Sequence, residues 1–433
     1  MRKPAVQVVT LGCSKNTVDT EHLLAQVADG MTVIPEGEDP GYVDFLLLNT
    51  CGFIGDAKEE SIQAILEAAR RKEEGAVGQL FVFGCLSQRY ADELPGLIPE
   101  VDQWFGARDL APLVRALGAV PDPDLEIRRY VTGPKKGYAF LKISEGCDRR
   151  CSYCAIPLIR GGHRSVPMER LVAEATELAR AGVHELVLIA QDTTYYGLDL
   201  YRKRCLGELL RRLSEVPGIE WLRIHYSYPA DFPEDVLEEM ASNPKVCRYL
   251  DIPLQHVSDG VLDRMHRHVD GAWTRRLIRT LRERVPGVAL RTTMMVGHPG
   301  EGEAEFEELL DFVREARFER LGAFKYSEEE GTYGAAHLPD MIPDEEKQRR
   351  LSALMETQRE ISLAFNVSRV GSEERVLVDA FTDGVYVCRS QYESPEVDGE
   401  ILLRTDRELE IGSFVRVRIL AADEYDLIAE LSI

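Results

Sequence analysis

An α/β architecture is expected for most of this 433-residue chain: an N-terminal parallel α/β domain, a central partial β/α barrel, and a small antiparallel β-barrel at the end. Three observations predict it. Apolar, β-branched runs alternate with amphipathic helical stretches through the first two thirds of the sequence. Each run stops at polar or turn residues. From about residue 367 the helical pattern gives way to short strands punctuated by DG and SP turns. The boundaries drawn are 1–133, 134–366 and 367–433.

The first segment reads as βαβαβ. VQVVTLGC, FLLLNTC and LFVFGC are apolar runs separated by the helical patterns TVDTEHLLAQVA and EESIQAILEAARRKEE. Strands joined by helices pair in parallel, so their carboxyl ends share the edge at which α/β folds bind ligands. Each run ends in a cysteine, Cys13, Cys51 or Cys85, and the topology carries all three to that edge. A single strand-end cysteine is ordinary packing. Three of three point to a metal site that offers three thiolates.

A second triad, Cys147, Cys151 and Cys154, has CxxxCxxC spacing in KISEGCDRRCSYCAIP, directly after another apolar run. Three thiolates hold three irons of a four-iron, four-sulfur cube and leave the fourth iron open to a substrate or cofactor. Structural zinc is the alternative, and it needs a fourth ligand. The nearest downstream histidine, His163, lacks the paired CxxC or HxxxH partner of a zinc finger.

The run before Cys147, with ELVLIAQDTTYYG, EWLRIHYSYP, YLDIPLQHV, VALRTTMMVGHPGE and LGAFKYSEEEGT, makes six β-α units. In β/α barrels the working groups gather where strands end. That makes Gln191, Asp192, His225, Gln255, His256, Arg291 and Thr292 candidates. Each has a structural reading beside it: Asp192 and Thr193 as turn and cap residues, the histidines as hydrogen-bonded core. DEEKQRRLSALMETQREISLAFNVSRVG is expected to be a long charged connector helix.

Composition narrows the class. A hydrophobic content of 44% supplies real cores, no apolar run of membrane-spanning length is present, and no cleavage-site pattern follows MRKPAVQVVTLGC, so a cytoplasmic protein is expected. Nine cysteines, an odd number mostly in ligand-like positions, argue against a disulfide framework; Cys205, Cys247 and Cys388 read as small core residues. The net charge is −22, and residues 367–433 hold seven Arg or Lys against fifteen Asp or Glu. Binding a phosphate backbone calls for a basic patch. An acidic domain suits a basic partner.

The Cys147 loop resembles that of the radical S-adenosylmethionine enzymes. The resemblance implies a 4Fe-4S cluster on Cys147, Cys151 and Cys154, S-adenosyl-L-methionine at its open iron, and a 5′-deoxyadenosyl radical as the reactive product. It places Tyr153 at the aromatic position before the last cysteine. It sets RGGHRS, Arg160 to Ser165, near the methionine amine, and Gln191, Gln255 and Arg291 at strand-end motifs close to the cofactor. His298 and Gly302 depart from that family's usual aromatic and threonine.

LGCSKNTVDTE, NTCGFI and FGCLSQRYADELPGLIPEVD are similar to signatures of the methylthiotransferases within that superfamily, and the C-terminal segment resembles their TRAM domain. The resemblance spans essentially the whole chain. It implies a second 4Fe-4S cluster on Cys13, Cys51 and Cys85 that handles sulfur, together with a reductant and a sulfur donor as partners. One branch of these enzymes modifies tRNA adenosine; another modifies the β-carbon of an aspartate in the twelfth small-subunit ribosomal protein. Negative charge and the wording of DIPLQHVSD, SEEEGT and YVCRSQYESPEVDGE favour the basic ribosomal protein over tRNA. From a different class, a noncatalytic iron–sulfur protein that binds RNA or the ribosome would carry clusters without turning over S-adenosylmethionine.

Overall fold

The structure, a computed structural model, describes residues 2–131 and 137–432. The expected boundary at 133/134 lies outside the described residues. The first sheet contains β1 (Ala5–Thr10), β2 (Thr32–Ile34), β3 (Val43–Thr50), β4 (Val77–Gly84) and β5 (Gln103–Trp104) in the order β2-β1-β3-β4-β5, all parallel. Residues alternate between its faces. Leu46, Leu48, Leu80 and Val82 pack on Ile65 and Ala68 of α2 (Gly55–Glu73). On the other face Leu47, Phe81 and Phe83 meet Leu23, Leu24 and Val27 of α1 (Ser14–Val27). Burial on both faces explains why these strands read as unbroken apolar runs. The edge strands β2 and β5 escape the sequence pattern because three and two residues are too short to show a period.

The central sheet runs in strict chain order. β6 (Tyr138–Lys142) is followed by a two-stranded ribbon, β7 (Ser144–Glu145) and β8 (Arg164–Ser165), that frames the second cysteine loop. Then come β9 (Glu185–Ile189), β10 (Trp221–Ile224), β11 (Val246–Asp251), β12 (Ala289–Val296) and β13 (Arg320–Lys325), with sheet order β6-β9-β10-β11-β12-β13, every pair parallel. Leu188, Leu222, Leu250, Leu290 and Met294 bury against the outer helices. Alternate residues such as Val187, Trp221, Tyr249 and Ala289 line the concave face.

β12 extends farther than its sequence suggests. Arg291 and Thr292 are third and fourth of its eight residues, so the strand end is at Val296, not before Arg291. The helix Asp344–Ser368 is also more than a connector: it buries Leu354 and Ile361 in the main core. There Arg350 donates to the carboxylate of Glu301 at 2.7 Å.

The C-terminal strands β14 (Glu373–Thr382), β15 (Val385–Arg389), β16 (Ile401–Leu403), β17 (Phe414–Ala422) and β18 (Leu427–Leu431) close into a barrel, β14-β15-β16-β18-β17. Four pairings are antiparallel and β16–β18 is parallel. The small antiparallel barrel expected is present, and arithmetic supplies its one parallel pairing: directions cannot alternate around a closed ring with an odd number of strands.

Between β15 and β16 the loop SQYESPEVDGE enters the concave face of the central sheet. Ser394 Oγ meets His225 Nε2 at 2.7 Å, and Tyr249 donates to Asp398 at 2.7 Å. Arg223 donates to Glu185 at 2.6 Å and to the Gln391 carbonyl at 2.8 Å, and Arg389 pairs with the same Glu185 at 2.9 Å. Arg223 and Glu185 have no exposed side-chain surface. Burial at that depth is tolerated because each charge is paired.

Candidate active site

The first triad is built at the carboxyl edge of the N-terminal sheet. Cys13 caps α1, Cys51 follows β3, and Cys85 follows β4 as the first residue of α3 (Cys85–Arg89). Thr50 and Gly84 are paired across β3 and β4, so Cys51 and Cys85 leave the sheet side by side. Gly12 has φ +92°, and a Cβ there would sit 2.7 Å from Cys51 Cβ. Only glycine lets the Cys13 turn approach this closely. Asn16 donates to the carbonyls of Leu11 and Thr50 at 2.8 and 3.2 Å, and Asn49 donates to the Asn16 carbonyl at 2.9 Å, fixing the turn to the strand. Ser61 holds Cys51 at both its N–H and its carbonyl.

The second triad occupies the loop between β7 and β8. The Cys147 N–H donates to the Gly161 carbonyl at 3.0 Å, and Cys154 N–H to the Cys151 carbonyl at 3.1 Å. Gly146 has φ +75°, and a Cβ there would come within 2.2 Å of the Gly162 carbonyl. The paired glycines of RGGHRS thus form the floor under the cysteine loop. His163 is engaged elsewhere, its Nε2 3.0 Å from Ser165 Oγ and its ring edge-on to Tyr195.

The donor chemistry fits cationic clusters. Burial pushes the Cys85 thiol up to about 11 and Cys147 up to about 12, and it raises Cys51 and Cys154 as well. In both triads the neighbouring thiols add to the shift, since each anion opposes the next. A positive metal centre removes that penalty and holds the sulfurs as thiolates. No three His, Cys, Asp or Glu side chains among the described residues are grouped to hold one metal ion. In a cluster each thiolate takes a separate iron, so a single point of convergence is not required.

Arg149 Nη2 and Ser152 Oγ within the second cysteine loop, and Gln191 Oε1, Gln255 Oε1 and Tyr326 Oη just past strands of the central sheet, are buried polar atoms with no hydrogen-bond partner among the described residues. Buried polar groups are normally paired, and the Cys147 loop holds two that are not. It marks a place shaped for a polar ligand.

The candidates separate into groups. Gln191 donates to Glu145 at 2.8 Å, and Gln255, at φ +74°, holds β12 through its backbone. Tyr153 packs beside Met295 and Phe324 with its hydroxyl 3.4 Å from Arg267 Nη1. Those three residues belong to the neighbourhood of the Cys147 loop. Arg291 instead pairs with Asp251 at 3.0 Å and lies 3.5 Å from Asp398 of the C-terminal loop. Thr292 donates to the Ile252 carbonyl at 2.9 Å. Asp192 caps the following turn and accepts from Arg149 at 2.9 Å. His256 is fully buried beside Glu301. His225 is neutral, its pKa pushed down to about 3 by burial. Cys205, Cys247 and Cys388 are free and buried among apolar residues.

Arg160, Arg267 and Glu145 were not legible as site residues one by one. Arg267 reaches toward Cys151 Sγ at 3.6 Å. Arg160 ties the loop of the second triad to the first: it donates to Cys85 Sγ at 3.2 Å, to Asn16 and Asp19 at 2.7 Å each, and to Glu145 at 3.2 Å. Glu145 is held down to about 2; burial opposes its ionisation, and Lys142 and Arg160 more than offset it. Arg160→Gln leaves Asp19 and Glu145 with Lys142 as their remaining cation, so a loss of about 1.5–3 kcal/mol is expected. Urea unfolding of variant and parent measures it, and an unchanged midpoint would show that the network is dispensable.

Three family models match in chain order: uncharacterized protein family UPF0004 over residues 5–106, the radical SAM superfamily over 141–313 and the TRAM domain over 370–431. Curated relatives match from end to end. The ribosomal protein uS12 methylthiotransferase RimO of Bacteroides fragilis is 51% identical over 433 residues, covering all of both chains. The protein of that name from Flavobacterium johnsoniae is 49% identical over 99% of this chain and 98% of its own. The chain belongs to the RimO methylthiotransferase family. Solved structures show the fold at greater distance. The radical S-adenosylmethionine methyltransferase TsrM of Kitasatospora setae aligns with TM-score 0.55 at 14% identity, over 95% of this chain and 80% of that one. The cobalamin-dependent enzyme OxsB aligns with TM-score 0.52 at 14% identity, over 82% of this chain and 56% of that one. RimO membership and the radical fold imply 4Fe-4S chemistry with S-adenosylmethionine. No helix among the described residues is long and apolar enough to cross a membrane.

Proposed function

We propose that this protein transfers a methylthio group to the β-carbon of an aspartate in ribosomal protein uS12, using one cluster on Cys147, Cys151 and Cys154 and a second on Cys13, Cys51 and Cys85. The observation that carries the reading is the contact of one buried arginine of the second cysteine loop, Arg160, with Cys85 of the first triad, in a chain whose full-length relatives bear that activity in their names. When bound, the radical cluster and S-adenosylmethionine supply hydrogen abstraction, and the second cluster supplies the sulfur site.

The chain's own groups have separable tasks. Gln191 and Gln255 offer amide oxygens to the polar end of the cofactor, and Tyr153 packs beside it. Arg291 positions the C-terminal loop through Asp398. That loop closes the concave face and excludes water from the radical. The segments 1–133, 134–366 and 367–433 then divide the work into sulfur handling, radical generation and docking. Asp383, Asp406, Glu408, Glu410, Asp423 and Glu430 are exposed on the last. They suit a basic ribosomal protein better than tRNA. A cytoplasmic location follows from such a substrate. A low-potential reductant and a sulfur donor complete the reaction.

Anaerobic incubation of reconstituted protein with reductant, sulfide, S-adenosylmethionine, a uS12 loop peptide and unmodified tRNA tests the proposal by mass spectrometry. A methylthio gain on the peptide aspartate is expected. A gain on tRNA adenosine alone overturns the substrate, and no gain with iron present favours a noncatalytic iron–sulfur protein.

A further inference from the structure

Among the described residues most buried cations have carboxylate partners; Arg267 does not but spends its donors on Cys151, Tyr153 and the Pro253 carbonyl, and Lys15 has neither kind of partner. Arg129, Lys142, Arg160, Arg223 and Lys347 each pair with at least one carboxylate. Lys15, two residues past Cys13, is only 8% exposed, and its ammonium has no hydrogen bond or ion pair among the described residues. Its one partner among the described residues is the ring of Tyr226, whose centroid lies 3.1 Å from Nζ. A cation over an aromatic face is attracted to it, but the ring consumes none of the N–H donors in the way a carboxylate does. The nitrogen is not among the fully buried unpartnered atoms, so the ammonium has donors to spare and is open to an incoming anion.

Tyr226 is held for this task. It follows β10 at the mouth of the central sheet with φ +55°, a strained position for a tyrosine. Its N–H donates to Asp251 at 3.0 Å, and its carbonyl accepts from Thr193 N–H at 3.1 Å. Lys15 therefore reaches from the N-terminal domain across to a fixed platform on the radical domain. Its charge is felt by His225 on that side, whereas Arg160 is the cation felt by Cys51 and Cys85. Through Tyr226 the ammonium stands at the barrel mouth.

We infer that Lys15 is the anchor for the side-chain carboxylate of the acceptor residue, an inference that rests on the function proposed above. Holding that carboxylate fixes the adjacent carbon, from which hydrogen is taken, one bond away. It also gives the site a chemical reason to prefer an aspartyl peptide to a nucleoside, which has no carboxylate.

Binding tests this without turnover. Reconstituted holoenzyme is titrated anaerobically, with no reductant, against a fluorescent uS12 loop peptide carrying the acceptor Asp or Asn. Losing one partner of a desolvated charge pair typically costs enough to weaken binding at least ~10-fold. Wild type should therefore bind the Asn peptide at least that much more weakly, and Lys15→Met should weaken the Asp peptide equally while leaving the Asn peptide unchanged. Lys15→Arg should recover part of the affinity. Equal weakening of both peptides by Lys15→Met, or of neither, overturns the anchor, as does a variant that changes only the electron paramagnetic resonance response of the first cluster to sulfide. The wild-type Asp/Asn comparison decides the question even if Lys15→Met fails to fold. If wild-type enzyme neither binds nor modifies the Asp peptide, the proposed function itself falls, and the anchor falls with it.

Discussion

Cys147→Ala should give a folded protein that keeps iron at the first triad and forms no 5′-deoxyadenosine from S-adenosylmethionine under reducing conditions. Removing even a supporting partner of a metal ligand typically costs about 10–100-fold, so loss of one of three direct ligands should exceed ~100-fold. The fold should survive, because Cys147 is anchored through its backbone N–H to Gly161, which alanine retains. The thiol itself accepts only a 3.4 Å contact from the Arg149 N–H. Chromatographic quantitation of deoxyadenosine, with iron content measured on the same sample, checks the outcome. Cleavage at the parental rate with Cys147 absent would remove this triad from radical chemistry.

Much of this site was legible in the sequence because its constraints are local. Strand-end cysteines at Cys13, Cys51 and Cys85 follow from apolar runs of strand length, and CxxxCxxC places the second triad within one loop. The parallel order of both sheets follows from alternation of strand and helix, and the closed C-terminal barrel from its short, turn-punctuated strands. What escaped depends on distant partners. Arg160 looked like part of a glycine-rich segment serving the second triad, yet its guanidinium crosses to Cys85, 75 positions away in sequence. Arg291 looked like a strand-end residue because RTT interrupts an apolar run, but β12 continues through Met294 and Met295 into a second buried cluster. Asp398 and Ser394 were invisible as concave-face residues, since only closure of the C-terminal barrel brings their loop to His225 and Tyr249. Lys15 is one letter of the motif LGCSKNTVDTE. Its lack of an anion is a fact of burial, which no local spacing encodes.

Cys51→Ala should separate the two halves of the reaction: deoxyadenosine continues to form, while methylthio product on the peptide drops below detection. The geometry supports that division. Cys51 belongs to the N-terminal sheet, and its Ser61 hydrogen bonds use backbone groups that alanine preserves. Arg160 ties the loop of the second triad to the first through Cys85, Asn16 and Asp19, not through Cys51, so the bridge to Glu145 stays intact. Removing one buried sulfur costs about 1 kcal/mol of burial, too little to unfold a domain. Cys13→Ala serves as a second, milder probe, because Cys13 is exposed and alanine leaves no cavity there. Both variants should show the same pattern, with the spectrum of the second cluster unchanged. If either loses deoxyadenosine formation in proportion to product, the triads do not act separately, and the first triad must instead shape the radical site. If either keeps making methylthio product, sulfur does not pass through Cys13, Cys51 and Cys85 at all.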